Sequence, residues 1–286
     1  MSFLDHIRAC NAHDPRPFRP FLCGATRIGR IRHDVAAWLA GFPDIFVVDD
    51  QGVRLHPSLD SGPPRSAAID AVAVELRHRY GTPALRGERY RVGAGWGLPE
   101  LFTIDRGLVS LFGIRAYGVH VNGFVRTTDG LRLWVARRAL GRPVAPGKLD
   151  NLIAGGQPAH LSLMDNLVKE AAEEANVPEP LARTALPVGA ISYCLDDEWG
   201  AKPDTMFCYD LELPPGFVPV NTDGEVESFA LMAPSEAAAR IKAGGDFKFN
   251  VNLVVTDFLI RHGFLNPDDE PDYVEIVSGL RVFHSE

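Results

Sequence analysis

Hydrophobic and polar residues follow two different periodicities along this chain, one typical of strands and the other of helices. Residues 117–125 and 131–138 alternate apolar with polar side chains on either side of a Thr-Asp-Gly turn, which predicts a β-hairpin. Residues 163–175 contain no glycine or proline, and their apolar side chains recur at helical spacing, which predicts an amphipathic helix. A second strong helix is predicted at 252–262, while residues 273–277 have the composition of an edge strand.

Shorter patterns fill the first 115 residues. They predict helices at 3–12, 34–39 and 67–80, strands at 45–48, 90–92 and 101–104, an arginine-rich turn at 27–32 and a Pro/Gly-rich loop at 61–66. We therefore predict two domains, a small α+β domain at 1–115 and a second one at 116–286.

The helix at 163–175 carries an unusual concentration of negative charge. Its apolar face is predicted to hold Met164, Val168, Ala171, Ala172 and Ala175, and the opposite face three glutamates, Glu170, Glu173 and Glu174. Like charges at this spacing repel, and the C-terminal end of a helix also disfavours negative charge. A solvated acidic face is one interpretation. The other is a site for a hard divalent cation, Mg²⁺ or Mn²⁺.

Composition limits the partners and the compartment. Apolar residues make up 46% of the chain, and 29 basic against 37 acidic residues leave a net charge of −8. This charge opposes binding to nucleic acid and to anionic membranes. Four unpaired cysteine positions, no signal pattern at the start and no apolar run of membrane-spanning length predict a cytoplasmic protein.

The segment 155–177 resembles the Nudix box, G-x5-E-x7-R-E-U-x-E-E-x-G-U with U aliphatic. Aligned on the three glutamates, Gly155 takes the glycine position and Lys169 the arginine position. Two positions depart: Leu161 replaces the first glutamate and Asn176 the second glycine. Segments 148–156 and 169–175 further resemble a Nudix subfamily associated with thiamine pyrophosphokinase, whose members carry their own N-terminal domain.

This resemblance implies a fold and a reaction. The expected fold is α+β, a Nudix α/β/α sandwich with a mixed sheet, preceded by a small α+β N-terminal domain. The expected activity is metal-dependent hydrolysis of a small-molecule diphosphate, with thiamine diphosphate or its oxidised analogues cleaved to the monophosphate. Glu170, Glu173 and Glu174, called the box glutamates below, would bind Mg²⁺ or Mn²⁺. Lys169 would orient a glutamate, Gly155 and Gly156 would shape the turn before the helix, and the protein could form a homodimer.

Four further residues are candidates for the site, each with an ordinary structural alternative. By the resemblance, Glu225, and Glu227 beside it, could act as a base or as a metal ligand that compensates for Leu161. Arg137 lies at a strand end, where it could contact phosphate or be a solvated charge. Trp199 lies in a connection, where it could contact a substrate ring or simply pack.

Two rival functions remain open at this level. Loss of the carboxylate at Leu161 could leave a non-catalytic module that binds a nucleotide or thiamine diphosphate. A diphosphate isomerase of the same fold would need a nucleophilic cysteine, for which Cys194 and Cys208 are the candidates. The sequence contains no P-loop, no G-x-S-x-G elbow, no HExxH and no Cys/His zinc spacing.

Overall fold

The N-terminal part of the chain builds a four-stranded sheet and a two-stranded sheet. The structure is a computed structural model that describes residues 1–282. The helices of this part are α1 (Phe3–Cys10), α2 (His33–Leu39) and α3 (Gly62–Tyr80); its strands are β1 (Phe18–Cys23), β2 (Thr26–Arg32), β3 (Phe46–Asp49), β4 (Gly52–Leu55), β5 (Arg89–Val92) and β6 (Phe102–Asp105). The larger sheet has the order β2-β1-β4-β3, and β5 pairs with β6. Helices α2 and α3 share one apolar core with these strands.

A seven-stranded mixed sheet dominates the rest of the chain. Its strands are β7 (Tyr117–Thr127), β8 (Gly130–Arg138), β9 (Leu149–Asp150), β10 (Ile153–Gly156), β11 (Leu186–Asp196), β12 (Ala201–Glu212) and β13 (Val226–Met232). The main order is β11-β12-β7-β8-β13, with β10 on β7 and β9 on β8. Strands β7 and β12 run parallel and the other pairs antiparallel, so the predicted hairpin and mixed sheet are confirmed.

Helices cover both faces of this sheet. Helices α4 (Leu163–Ala175) and α5 (Glu179–Ala182) share a core with one face. On the other face lie α6 (Pro234–Ala243), α7 (Val251–Arg261) and α8 (Tyr273–Gly279). The result is an α/β/α sandwich preceded by an α+β part, as the sequence predicted. Along residues 1–282, none of the helices combines the length and the apolarity that crossing a bilayer requires.

Helix α1 packs on the sandwich although it opens the chain. Its buried side chains Phe3, Leu4, Ile7 and Cys10 belong to the same core as α7 and α8. A ring nitrogen of His6 lies 2.8 Å from the carbonyl oxygen of Ile241. The predicted domain boundary between residues 115 and 116 stays a prediction. Helix α1 precedes this boundary in the chain but packs with the part that follows it.

Three local predictions were wrong. The predicted turn at 27–32 is strand β2, because it pairs with β1, a strand that the prolines around it concealed. The predicted loop at 61–66 begins α3, since proline is well tolerated in the first turn of a helix. The predicted edge strand at 273–277 is helix α8, which buries Ile276 against the core.

Candidate active site

Helix α4 begins and ends where its sequence dictates. The Ser162 hydroxyl accepts the backbone N–H of Asp165 at 3.1 Å and so caps the first turn. At the other end Asn176 has a φ of 51°, the left-handed conformation that asparagine tolerates better than most residues. Asparagine therefore performs here the helix-ending role that glycine has in the general box.

The face that α4 buries differs from the predicted one. Its buried residues are Asn166, Leu167, Ala171, Glu174 and Ala175, whereas Ala172 is exposed. The prediction that all three box glutamates lie opposite the buried face was therefore wrong for Glu174. The helix is rotated so that its Glu170–Glu174 edge lies along strand β10, which joins the two carboxylates to the sheet.

Gly155 and Gly156 belong to strand β10 rather than to a turn, which corrects the prediction. Strand β10 pairs antiparallel with β7 through both residues. A Cβ on Gly155 would stand 2.7 Å from Oε1 of Glu170, and one on Gly156 would stand 2.8 Å from Cζ of Tyr90. A side chain at Gly156 would collide with the buried Tyr90 ring, and one at Gly155 would displace the Glu170 carboxylate.

Glu174 is a buried carboxylate with a single hydrogen-bond donor identified. It is 7% exposed, and one of its oxygens accepts the backbone N–H of Ala154 at 2.8 Å. Burial raises the pKa of Glu174 well above its ordinary value, and the negative charges of Glu170, Asp150 and Glu225 act in the same direction. The surroundings of Glu174 thus disfavour its ionised form.

Lys169 bridges the other two box glutamates. Its ammonium lies 2.7 Å from Oε2 of Glu173 and 3.2 Å from Oε1 of Glu170. Burial raises the pKa of Glu170 even with this partner beside it. Lys169 thus stands where a cation would relieve the repulsion, and carboxylate oxygens are the donors that hard divalent cations prefer. Over residues 1–282, no three acidic, histidine or cysteine side chains already converge as a metal site.

Glu225 lies beside this group and Glu227 does not. Glu225 comes just before β13, and its carboxylate forms an ion pair with Arg142. It also contributes to the raised pKa of Glu174. Glu227 lies within β13, where an irregularity in the β13–β8 pairing falls between Val226 and Ser228, and its side chain is exposed. Its predicted role as a base or metal ligand stays a prediction.

Comparison with known proteins decides the family. The chain is 38% identical to Nudix hydrolase 20, chloroplastic, of Arabidopsis thaliana over 98% of its own length and 77% of that protein. It is also 38% identical to Nudix hydrolase 24, chloroplastic, of the same plant, over 98% and 77%. The chain belongs to the Nudix hydrolase family. This Nudix hydrolase is therefore an enzyme of the pyrophosphohydrolase type.

Two further comparisons concern parts of this Nudix hydrolase. Residues 2–116 match a family model described as a domain of unknown function, DUF4743. The Nudix domain of Shewanella oneidensis NrtR, solved in complex with ADP-ribose, is 13% identical over 53% of this chain and 90% of that one, with a TM-score of 0.41.

Arg137 and Trp199 were predicted to contact the substrate of this Nudix hydrolase, and both form hydrogen bonds within the protein. Arg137 donates to the carbonyl oxygen of Gly147 at 2.8 Å, at the edge of the β8–β9 loop. The indole N–H of Trp199 donates to the carbonyl oxygen of Gly81 at 2.9 Å, just beyond α3. The structure thus places Trp199 against the N-terminal part, and both substrate roles stay predictions.

The cysteines offer no nucleophile to an isomerase. Cys194 and Cys208 are both buried, and burial raises the pKa of Cys194 to about 11 and that of Cys208 further still. A nucleophilic cysteine needs a lowered thiol pKa and access to substrate. The structure therefore disfavours the isomerase alternative.

Sequence reasoning missed several residues around the box glutamates. Asp150 is buried with Arg138 at 2.7 Å and Lys248 at 3.5 Å, behind Glu174. Tyr90 and Trp96 reach the sandwich from the N-terminal part, and the Trp96 ring lies 4.9 Å from that of Tyr117. No local pattern marks Tyr90 and Trp96 as site residues, because only the tertiary fold brings them to the box. Asp150 lies in segment 148–156, but the resemblance of this segment assigned it no role.

Proposed function

We propose that this Nudix hydrolase uses Mg²⁺ to cleave the diphosphate of thiamine diphosphate, or of an oxidised analogue, to the monophosphate. The observation that carries the proposal is the crowding of the box glutamates, of which Glu170 and Glu173 share Lys169 while Glu174 is buried. Glu170 and Glu174 are carboxylates with raised pKa values, and Lys169 is the cation found beside the group. A divalent cation at this position would stabilise the ionised carboxylates and bring the diphosphate to them.

The box glutamates have distinct parts in this reaction. Glu170 and Glu174 would hold the metal against strand β10, and the more exposed Glu173 would turn from Lys169 toward it. When bound, Mg²⁺ neutralises phosphate oxygens and lowers the pKa of a bound water. Lys169, released from Glu173, would remain beside Glu170 and hold that carboxylate in place. Glu225 is the candidate base, with Arg142 fixing its position.

The substrate class rests on the resemblance to the thiamine-associated subfamily and on two physical features. The thiazolium ring of thiamine diphosphate is cationic, so the protein's net charge of −8 opposes this ring less than it opposes the diphosphate. The Trp96 side chain is 42% exposed and lies beside Tyr117, whose carbonyl oxygen accepts the N–H of Gln157 just after β10. This aromatic surface next to the box would suit a flat heterocycle. The cytoplasmic location and the homodimer stay predictions.

The test is release of phosphate and of monophosphates from a panel of diphosphates, with Mg²⁺ and with EDTA. The panel holds thiamine diphosphate, its oxo and oxy analogues, ADP-ribose, NADH, FAD, CoA and nucleoside triphosphates. We expect Mg²⁺-dependent formation of thiamine monophosphate or of its oxidised counterpart. Glu173→Gln should lower turnover at least about a hundredfold, roughly 2.7 kcal/mol of transition-state stabilisation, while the protein still folds.

Glu179→Gln is the matched control, because Glu179 pairs with Arg183 on the surface of α5. It should leave turnover unchanged. Near-normal turnover of Glu173→Gln would contradict the metal role. Silence across the panel, with thiamine diphosphate still raising the melting temperature, would instead support the non-catalytic binding module.

A further inference from the structure

Strand β5 of the N-terminal part is joined to the segment that links β10 to α4. The carbonyl oxygen of Arg89 accepts the backbone N–H of Ala159 at 2.8 Å. The next residue, Tyr90, is buried, and its ring and hydroxyl rest on the Cα of Gly156. A residue range outside the Nudix box therefore forms one wall of the site.

Arg106 follows β6 and extends over this wall. Its guanidinium carbon lies 5.9 Å from the centre of the Tyr90 ring, and Nη1 donates to Oε2 of Glu88 at 2.9 Å. A guanidinium has five N–H donors, of which Glu88 engages one. The Arg106 side chain is about half exposed, so it is open to a ligand on its outer side.

The charge of Arg106 acts on the box. The Tyr90 ring below Arg106 lies against Gly156, and the Glu170 carboxylate lies against the neighbouring Gly155. In keeping with this arrangement, Tyr90, Glu88 and Glu170 all raise the pKa of Arg106. Lys202, a second cation in this area, already lies 3.1 Å from Asp204. Lys169 already pairs with Glu170 and Glu173, whereas Arg106 lies outside the box with an outer side that is open to an arriving anion.

We propose that Arg106 is a substrate-binding residue, whose guanidinium binds a phosphate oxygen of the diphosphate at the box. This inference rests on the proposed function. Its physical basis is that two ionised phosphates bring more negative charge than one divalent cation neutralises, and arginine presents paired N–H donors that match phosphate oxygens. In an acidic protein, one well-placed arginine is the group that would offset this remaining charge.

The consequence is that the N-terminal part supplies a side chain to the reaction. Nudix box residues alone would then bind the metal but hold the diphosphate weakly. The same arrangement gives residues 88–106 a direct influence on which phosphorylated group the enzyme accepts.

Binding of methylenediphosphonate, a non-hydrolysable diphosphate, tests the inference on the full-length protein. Calorimetric titration in Mg²⁺ would compare wild type with Arg106→Ala, Arg106→Lys and Arg16→Ala. Arg16 is the matched control, an arginine of the same part that pairs with Asp14 at 2.7 Å on the surface. We expect Arg106→Ala to weaken the Kd at least about tenfold, Arg106→Lys to weaken it less, and Arg16→Ala to leave it unchanged.

Turnover separates this inference from the proposed function. Arg106→Ala should raise KM by the same factor, while the metal concentration for half-maximal activity stays constant. Equal Kd values for wild type and Arg106→Ala, in an enzyme that hydrolyses diphosphates, would overturn the inference and leave the proposed function standing. A wild-type protein that neither binds nor hydrolyses diphosphates would overturn both. If Arg106→Ala unfolds, an unchanged Kd for folded Arg106→Lys overturns the inference in its place.

Discussion

Two groups of buried carboxylates lie on opposite faces of the large sheet, and they are balanced differently. On the α7 face, Asp210 is 7% exposed and receives Arg261 at 2.9 Å, His262 at 2.9 Å and the amide of Asn122 at 3.1 Å. On the α4 face, Glu174 is equally buried and receives one backbone N–H.

Their pKa values move in opposite directions as a result. Burial alone would raise the pKa of Asp210, but hydrogen bonds from Arg261 and His262 lower it below its ordinary value. Burial raises the pKa of Glu174, and neighbouring carboxylates add to the rise. The comparison teaches that burial by itself does not mark a site. What marks it is a buried charge that the fold leaves without a counter-charge.

The largest expected effect comes from removing the balanced carboxylate. Asp210→Ala would leave Arg261 and His262 partly buried with one acceptor fewer, and breaking such a pair costs about 3 kcal/mol. Urea unfolding would measure this loss, while turnover per folded molecule should stay near the wild-type value. Glu212→Gln, two residues on and paired with Arg126 on the surface, should cost less than about 1 kcal/mol. Equal losses of unfolding free energy in Asp210→Ala and Glu212→Gln would contradict the stabilising role of the buried pairs around Asp210.

The second effect concerns pH. Because the folded-state pKa of Glu174 lies above its unfolded value of 4.5, its contribution to stability is present at acidic pH and is lost as pH rises through the folded pKa. Glu174→Gln should therefore be more stable than wild type at pH 8 without metal, and this advantage should shrink toward pH 4.5. Urea unfolding across this range in EDTA would measure it.

The contribution of Asp210 to stability should have the opposite pH dependence in the same experiment. Its folded-state pKa lies below 3.8, so its contribution is present above pH 3.8 and is lost as pH falls through the lowered value. Parallel stability curves for wild type and Glu174→Gln would show that folding does not raise the pKa of Glu174, which would contradict its contrast with Asp210.

The smallest effect is expected at Lys169. Its pair with Glu173 joins adjacent turns of α4 and is about half exposed, a geometry worth about 0.3–0.5 kcal/mol. Lys169→Ala should lower the free energy of unfolding by no more than this in EDTA. A loss above about 1.5 kcal/mol would mean that Lys169 balances the box glutamates as fully as Arg261 balances Asp210.

Local chemistry explains what the sequence could predict. The hairpin around Gly130 and the limits of α4, set by Ser162 and Asn176, depend on residues close together in the chain. The strand position of Gly155 was missed because a glycine pair before a helix resembles a turn. Its true reason is the approach of the Glu170 carboxylate, which only the packing of α4 on β10 produces.

The site could be predicted only in part for the same reason. The resemblance identified the box glutamates, but helical spacing alone could not show that Glu174 is buried or that Lys169 lies between Glu170 and Glu173. Arg106 and Tyr90 lie more than 45 residues before the box glutamates, in segments without a motif. The hydrogen bond between β5 and the segment after β10 brings Tyr90 against Gly156, and Arg106 lies over the Tyr90 ring.

The packing of α1 delays its docking until late in the synthesis of the chain. The N-terminal amine donates to the carbonyl oxygen of Lys242, 241 positions along the chain. At about 5–20 residues per second, a ribosome would need roughly 10–50 s to make that partner after it has made α1. Throughout this interval the apolar side of α1 lacks α6, α7 and α8, the helices that share its core. Among the helices that the structure describes, α1 would be made before the others and would be among the last to complete its contacts.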